Sequence, residues 1–184
     1  MRKIFILSLF ILQILILNSF AQETVQPKDE LGCATEESKR LKFLEGKWNV
    51  VNRFRINGRE NIWEETKAKS KIKFLFKDCL WQEELKGKRE GRPHKVISLY
   101  SYNNMSKKLQ WVGGHSEHGV LTLYEGNFDE GELKLESSLE IRGRTIFFRR
   151  LITKTASGFE VRSQRSVDEG KTWDTGWHLT YTRQ

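Results

Sequence analysis

Several signatures of chemistry are missing from this chain. It has no Gly-x-Ser-x-Gly elbow to present a serine nucleophile on a strained turn, and no glycine-rich loop of the kind that cradles phosphates. It also lacks a helix-period apolar run long enough to cross between parallel strands, which excludes a sheet built from βαβ units. No linker, repeat or low-complexity stretch divides it. Cysteine is scarce, at two residues, and only one long apolar run occurs. The formal net charge is +8, yet along the strand-like segments Lys and Arg alternate with Glu, as in Glu132-Leu133-Lys134-Leu135-Glu136. That is the pattern of a solvated outer face and not of a nucleic-acid footprint, although attraction to an anionic surface or ligand stays open.

The one apolar run opens the chain. Arg2 and Lys3 precede Ile4 to Leu17, interrupted only by Ser8 and Gln13, and Ser19-Phe20-Ala21 then places small residues where a signal peptidase reads. Residues 1–21 are expected to be a cleaved signal, because the run is short for a membrane span and no second one follows. No stable membrane span is expected after cleavage, and the product is expected to be periplasmic or extracellular. Asp29-Glu30-Leu31-Gly32 is a poor approach for lipid attachment at Cys33. Residues 22–34 read as a flexible lead-in and residues 35–184 as one domain, large enough for a core of its own.

In an oxidising compartment Cys33 and Cys79 are expected to pair, the alternative being two buried free thiols. A bridge would close a loop worth about 4 kcal/mol in the chain-entropy picture and staple the lead-in to the end of the second strand. Neither cysteine has a histidine near it in sequence, so neither reads as catalytic.

From Gly46 onward the pattern is strand after strand. Thr35-Glu36-Glu37 resembles a helix start, and Leu41, Phe43 and Leu44 give that short helix an apolar edge suited to plugging a barrel end. Strands are predicted near 46–57, 62–77, 79–87, 94–103, 107–114, 119–128, 131–140, 143–155, 158–166 and 172–183. Turn signals such as Asn57-Gly58, Asn103-Asn104, Asp129-Glu130-Gly131 and Arg142-Gly143 separate them. The predicted fold is therefore all-β: a single antiparallel up-and-down barrel of about ten strands with a short N-terminal helix. Closure would make the two chain ends neighbours, with Trp48 at the start of the first strand against the guanidinium of Arg183 at the end of the last.

Alternation assigns side chains to the interior. Leu133, Leu135, Leu139 and Ile141 share one face, as do Trp173, Trp177, Leu179 and Tyr181 with Arg183, and Trp48, Val50, Phe54 and Ile56 in the first strand. Val96, Tyr100 and Tyr102, then Leu109 and Trp111, are matching candidates. Six Trp is a heavy load of rings that can either line a cavity or fill it.

Phe43-Leu44-Glu45-Gly46-Lys47-Trp48 with Tyr181-Thr182-Arg183 resembles the lipocalin and fatty-acid-binding-protein superfamily, the calycins, whose Gly-x-Trp opening and late Arg close an up-and-down barrel. The chain is also similar to exported bacterial calycin-like proteins of unknown function. Cys33, Gly46, Trp48, Cys79, Tyr102-Asn103, Leu109-Gln110-Trp111-Val112 and the stretch Ser166 to Trp173 carry that likeness, which covers about residues 33 to 183. It departs where Asp78 stands in place of a Gly before Cys79 and Leu109 in place of a first Trp. The resemblance implies a calycin-like barrel and no established reaction. Ser166-Val167-Asp168-Glu169-Gly170-Lys171-Thr172-Trp173 also spells an Asp-box, in which the Ser and Asp side chains bond turn backbone, Gly170 supplies a positive φ and Trp173 packs beneath the hairpin. A single box in a chain of this length reads as a turn-stabilising device and not as a sialidase propeller.

Candidate ligand-contacting residues are Trp81, Glu83, Tyr100, Trp111, Arg149, Arg165, Trp177 and Tyr181. Glu83 shares parity with Trp81 and Leu85, Arg149 with Phe147 and Leu151, and Arg165 with Val161, so these charges either pair inside the barrel or meet the head of an amphipathic ligand. His115 and His118, three apart, fall on opposite faces of a strand and no third ligand is evident, so a solvated loop is expected and no metal or cofactor is implied. Three readings follow: a non-enzymatic exported barrel binding a small hydrophobic or amphipathic molecule, a solid structural or interaction barrel, and a small enzyme using a buried carboxylate such as Glu83.

Overall fold

A computed structural model of the chain describes residues 33–56, 62–76 and 78–184. The expected signal, all of the lead-in before Cys33 and the Asn57-Gly58 turn lie outside the described residues.

The described part starts with a well-made cap. Thr35 accepts the Ser38 amide at 3.1 Å while its own amide donates to the Ser38 hydroxyl at 2.8 Å, a reciprocal pair that satisfies donors a short helix leaves orphaned. Helix α1 (Glu36–Lys39) runs into a 3₁₀ turn (Arg40–Leu44) that sends Leu41 and Leu44 into the core, both fully buried. Cys33 is bonded to Cys79 with Cα atoms 5.1 Å apart, which ties the approach to α1 to the turn before the third strand. Among the described residues no helix is long and apolar enough to cross a membrane.

Ten antiparallel strands follow: β1 (Gly46–Arg55), β2 (Trp63–Phe76), β3 (Leu80–Arg89), β4 (Arg92–Asn103), β5 (Lys108–His115), β6 (His118–Asp129), β7 (Glu132–Ile141), β8 (Arg144–Lys154), β9 (Gly158–Ser166) and β10 (Asp174–Arg183). Each pairs with its neighbours in sequence, and β1 pairs with β10, so the sheet closes as the alternation predicts. Among the described residues closure leaves no edge strand to recruit another chain.

At the seam Trp48 stands opposite Arg183, Val50 opposite Tyr181 and Phe54 opposite Trp177. The Arg183 guanidinium lies 4.6 Å from the Trp48 ring, and the indole N–H donates to the Leu44 carbonyl at 2.9 Å. Gly46 has φ +149°, a conformation that strains any other residue, and a Cβ there would sit 3.1 Å from the Arg183 guanidinium and 3.4 Å from the indole, crowding the seam contact.

The core is concentrated at the helix end. Phe159 stacks on Tyr181 at 4.1 Å and meets Trp48 edge-on at 5.0 Å, with Leu133, Leu135, Ile152 and Val161 buried around them. Leu139 and Ile141 continue the face of Leu133 and Leu135 but are exposed, because β7 runs from the packed end out to the open end of the barrel, where Leu139 lines the opening.

Two further expectations are corrected by local irregularities. The last strand begins at Asp174 and not near 172, and its register against β9 shifts between Thr175 and Trp177. That bulge reverses the alternation, so Trp173 does not share the interior with Trp177 but lies outside under the Arg149 guanidinium, 4.1 Å away. Arg149 itself is on the outer face, bonded through Nε to Gln164 at 2.6 Å. Apolar residues occupy both parities of β8 (Ile146, Phe147, Phe148, Leu151, Ile152), so alternation alone cannot orient that strand.

The Asp-box forms as a turn. Ser166 Oγ accepts from the Gly170 amide at 2.9 Å, and Asp168 accepts from the Thr172 amide at 2.9 Å and hydroxyl at 2.6 Å. Gly170 has φ +83°. The Ser166 hydroxyl first, then Thr172, hold the Asp168 carboxyl down to about 2 from 3.8. Its stabilising contribution is thus complete above the ordinary value of 3.8, declines as pH falls below that value, and is gone once pH has passed through about 2. A carboxyl NMR titration should place Asp168 near that lower value, whereas a midpoint at 3.8 would mean the turn bonds are absent in solution.

Candidate functional site

The half of the barrel away from α1 is hollow. A chamber of about 460 Å³ opens there, walled by Trp111, Tyr124, Phe148 and Trp177 with Phe54 and Leu139 toward the rim. A small recess of about 40 Å³ continues below it toward Glu83, Leu179 and Tyr181, sharing Trp111, Arg150 and Trp177 with the chamber. The volume lies in the range of small-molecule sites.

The floor is a polar knot. Glu83 on β3 is buried, and its carboxylate accepts hydroxyls from three other strands: Ser70 of β2 at 2.9 Å, Tyr100 of β4 at 3.1 Å and Tyr181 of β10 at 2.8 Å. Burial, then the Glu83 charge, pushes both phenols well above their ordinary value of 10.0, so both remain donors. Tyr124, in the chamber wall, is also raised by burial. Glu83 is thereby compensated by hydroxyls and not by an arginine.

Arg150, in the wall, makes no ion pair among the described residues, unlike Arg89 and Arg165 beside the same chamber. Its guanidinium lies 4.0 Å from the Trp111 ring, and its Nε is buried without a hydrogen-bond partner among the described residues. Ser163, its cross-strand neighbour on β9, lines the chamber with its hydroxyl likewise unpartnered, and Ser98 does the same in the recess. Trp177 is held from outside the chamber, its N–H donating to Asn52, which in turn donates to Thr66 at 3.3 Å.

Of the residues chosen from sequence, Trp111 and Trp177 line both spaces, Glu83 and Tyr181 reach the recess, and Arg165 reaches the rim, 3.6 Å from Asp174. Trp81 and Tyr100 are buried in the packed floor and line neither space. Arg149 is outside, as described above. Arg150, Phe148 and Ser163 were missed, although Arg150 is the immediate neighbour of the arginine chosen and a register test on β8 would have found it.

Histidines gather on the rim. His115 and His118 face each other across the β5–β6 hairpin with ring centroids 5.1 Å apart, since the turn makes them cross-strand partners. Fully buried His94 of β4 places Nδ1 2.9 Å from Glu117, whose other oxygen accepts from Arg89 at 3.0 Å. Burial lowers both His94 and His115, against the opposing pull of Glu117.

These features define a closed ten-stranded antiparallel barrel with one packed and one open half. Residues 34–183 match the family described as Protein of unknown function (DUF1579), and the chain belongs to that family. No curated protein matches it.

Two outcomes are expected of the floor. Glu83→Ala strands three buried hydroxyls and should cost about 3 kcal/mol or more in urea unfolding, and a loss below about 1 kcal/mol would mean the knot contributes little. Because Tyr100, Tyr124 and Tyr181 keep their protons in the folded state beyond the value at which the unfolded chain releases them, stability should be intact below pH 10 and fall above it. Ultraviolet titration should therefore show these phenols ionising together with unfolding. Ionisation near pH 10 with the fold intact would contradict their burial.

Proposed function

We propose that this protein is an exported, calycin-like container for a small amphipathic molecule with an acidic head, and that it acts by binding and not by catalysis. The observation that carries this reading is Arg150: a cation in an aromatic chamber, with a buried unpartnered Nε and an unpartnered serine hydroxyl across the strand pair. Leaving such groups unmatched is costly, whereas an anionic head would accept from both while its apolar body lies against Trp111, Phe148 and Trp177. The apolar run and small residues near the N-terminus, together with the Cys33–Cys79 bond, support export. The open chamber of about 460 Å³ favours a container over a solid barrel. As for an enzyme, Glu83 is engaged by three hydroxyls, which suits it to a structural task.

The test uses anilinonaphthalene sulfonate, a fluorescent aromatic anion. Arg150→Gln should weaken its binding about tenfold or more, as expected for the loss of a charge-assisted contact. Arg149→Ala, on the outer face, should leave it unchanged. Equal affinity of wild type and Arg150→Gln, or no binding by either, would contradict the proposal.

A further inference from the structure

The rim holds a second donor set, independent of the chamber's anion reading. His94 from β4, His115 from the end of β5 and Glu117 from the β5–β6 turn each offer one ligand atom, and the three atoms lie within 4.8 Å of one another. Atoms bound to a tetrahedral ion of the Zn²⁺ type stand about 3.4 Å apart, given metal–ligand distances of about 2.0–2.2 Å, so modest side-chain rotation closes the set.

An independent observation points to a missing partner. His94 is completely buried and turns Nδ1 toward Glu117 at 2.9 Å, so Nδ1 is the nitrogen that converges with the carboxylate. His115 Nδ1 is buried without a hydrogen bond, 4.0 Å from Glu117. A buried imidazole nitrogen left unmatched beside a carboxylate and a second imidazole is unusual unless something else engages it. Glu117 is prepared as a ligand as well, because Arg89 binds one of its oxygens at 3.0 Å and leaves the other facing His94.

We propose that His94, His115 and Glu117 form a binding site for a divalent transition-metal ion of the Zn²⁺ class. Two imidazoles and one carboxylate favour such an ion over Mg²⁺ or Ca²⁺, which take all-oxygen shells. Three protein ligands leave a coordination position free. His115 also lines the chamber, so the ion would sit in its wall.

The full chain, stripped with a chelator, is titrated with Zn²⁺ by calorimetry and with Co²⁺ by visible absorption. One equivalent should bind, Co²⁺ should show the intense bands of low coordination number, and the His94 and His115 ring nitrogens should shift in NMR. His115→Ala and Glu117→Gln should each weaken Zn²⁺ at least about tenfold, while His118→Ala retains it. His94→Ala risks the fold, so the wild-type ring signals report on that ligand instead. Absence of Zn²⁺ binding, unmoved His94 and His115 signals, or equal affinity in the His115 and Glu117 variants would each overturn the site.

Discussion

A buried carboxylate organises the barrel interior. Glu83 lies where four strands of the closed sheet can reach one point, and Ser70, Tyr100 and Tyr181 all donate to it. A carboxylate in that position is tolerable only if its oxygens are met, and meeting them fixes two large rings in one layer. Tyr181 arrives from the last strand, 98 residues away in sequence, so the same bonds that compensate the charge also hold β10 to β2, β3 and β4. Below this layer the space is filled by aromatic and aliphatic side chains. Above it the rings of Trp111 and Trp177 stand apart and the chamber begins.

Other devices serve closure. The seam depends on Gly46 lacking a side chain, on Trp48 being anchored to Leu44, and on Arg183 covering the indole. The 3₁₀ turn drives Leu41 and Leu44 into the end that the seam aromatics line, and the disulfide restrains the segment that leads into it. Packing and covalent constraint are therefore spent at one end, which leaves the other free to be hollow.

Much of this was legible in the sequence, for reasons that differ by element. Strand count and seam followed from period-2 alternation and from the Gly-x-Trp and Tyr-Thr-Arg bookends, because those features are local and a closed sheet has few ways to accommodate them. Glu83, Trp111 and Trp177 were found by parity on strands with one apolar face. Parity points to Arg149 where Arg150 faces inward because β8 is apolar on both sides, and it puts Trp173 inside because a bulge is invisible to alternation. The rim cluster escaped for another reason. His94 follows Arg92-Pro93 at the start of its strand, and only the pairing of β4 with β5 brings it beside His115 and Glu117.

The central claim is that the barrel's open half is a binding chamber centred on Arg150. It is tested most directly by NMR mapping of the full chain titrated with decanoate, a carboxylate amphiphile. The account predicts saturation at one equivalent, with the largest shifts at Trp111, Phe148, Arg150, Ser163 and Trp177. Shifts confined to the exposed apolar residues Ile97, Leu121 and Leu123 on the outer face, or no shifts at all, would contradict it.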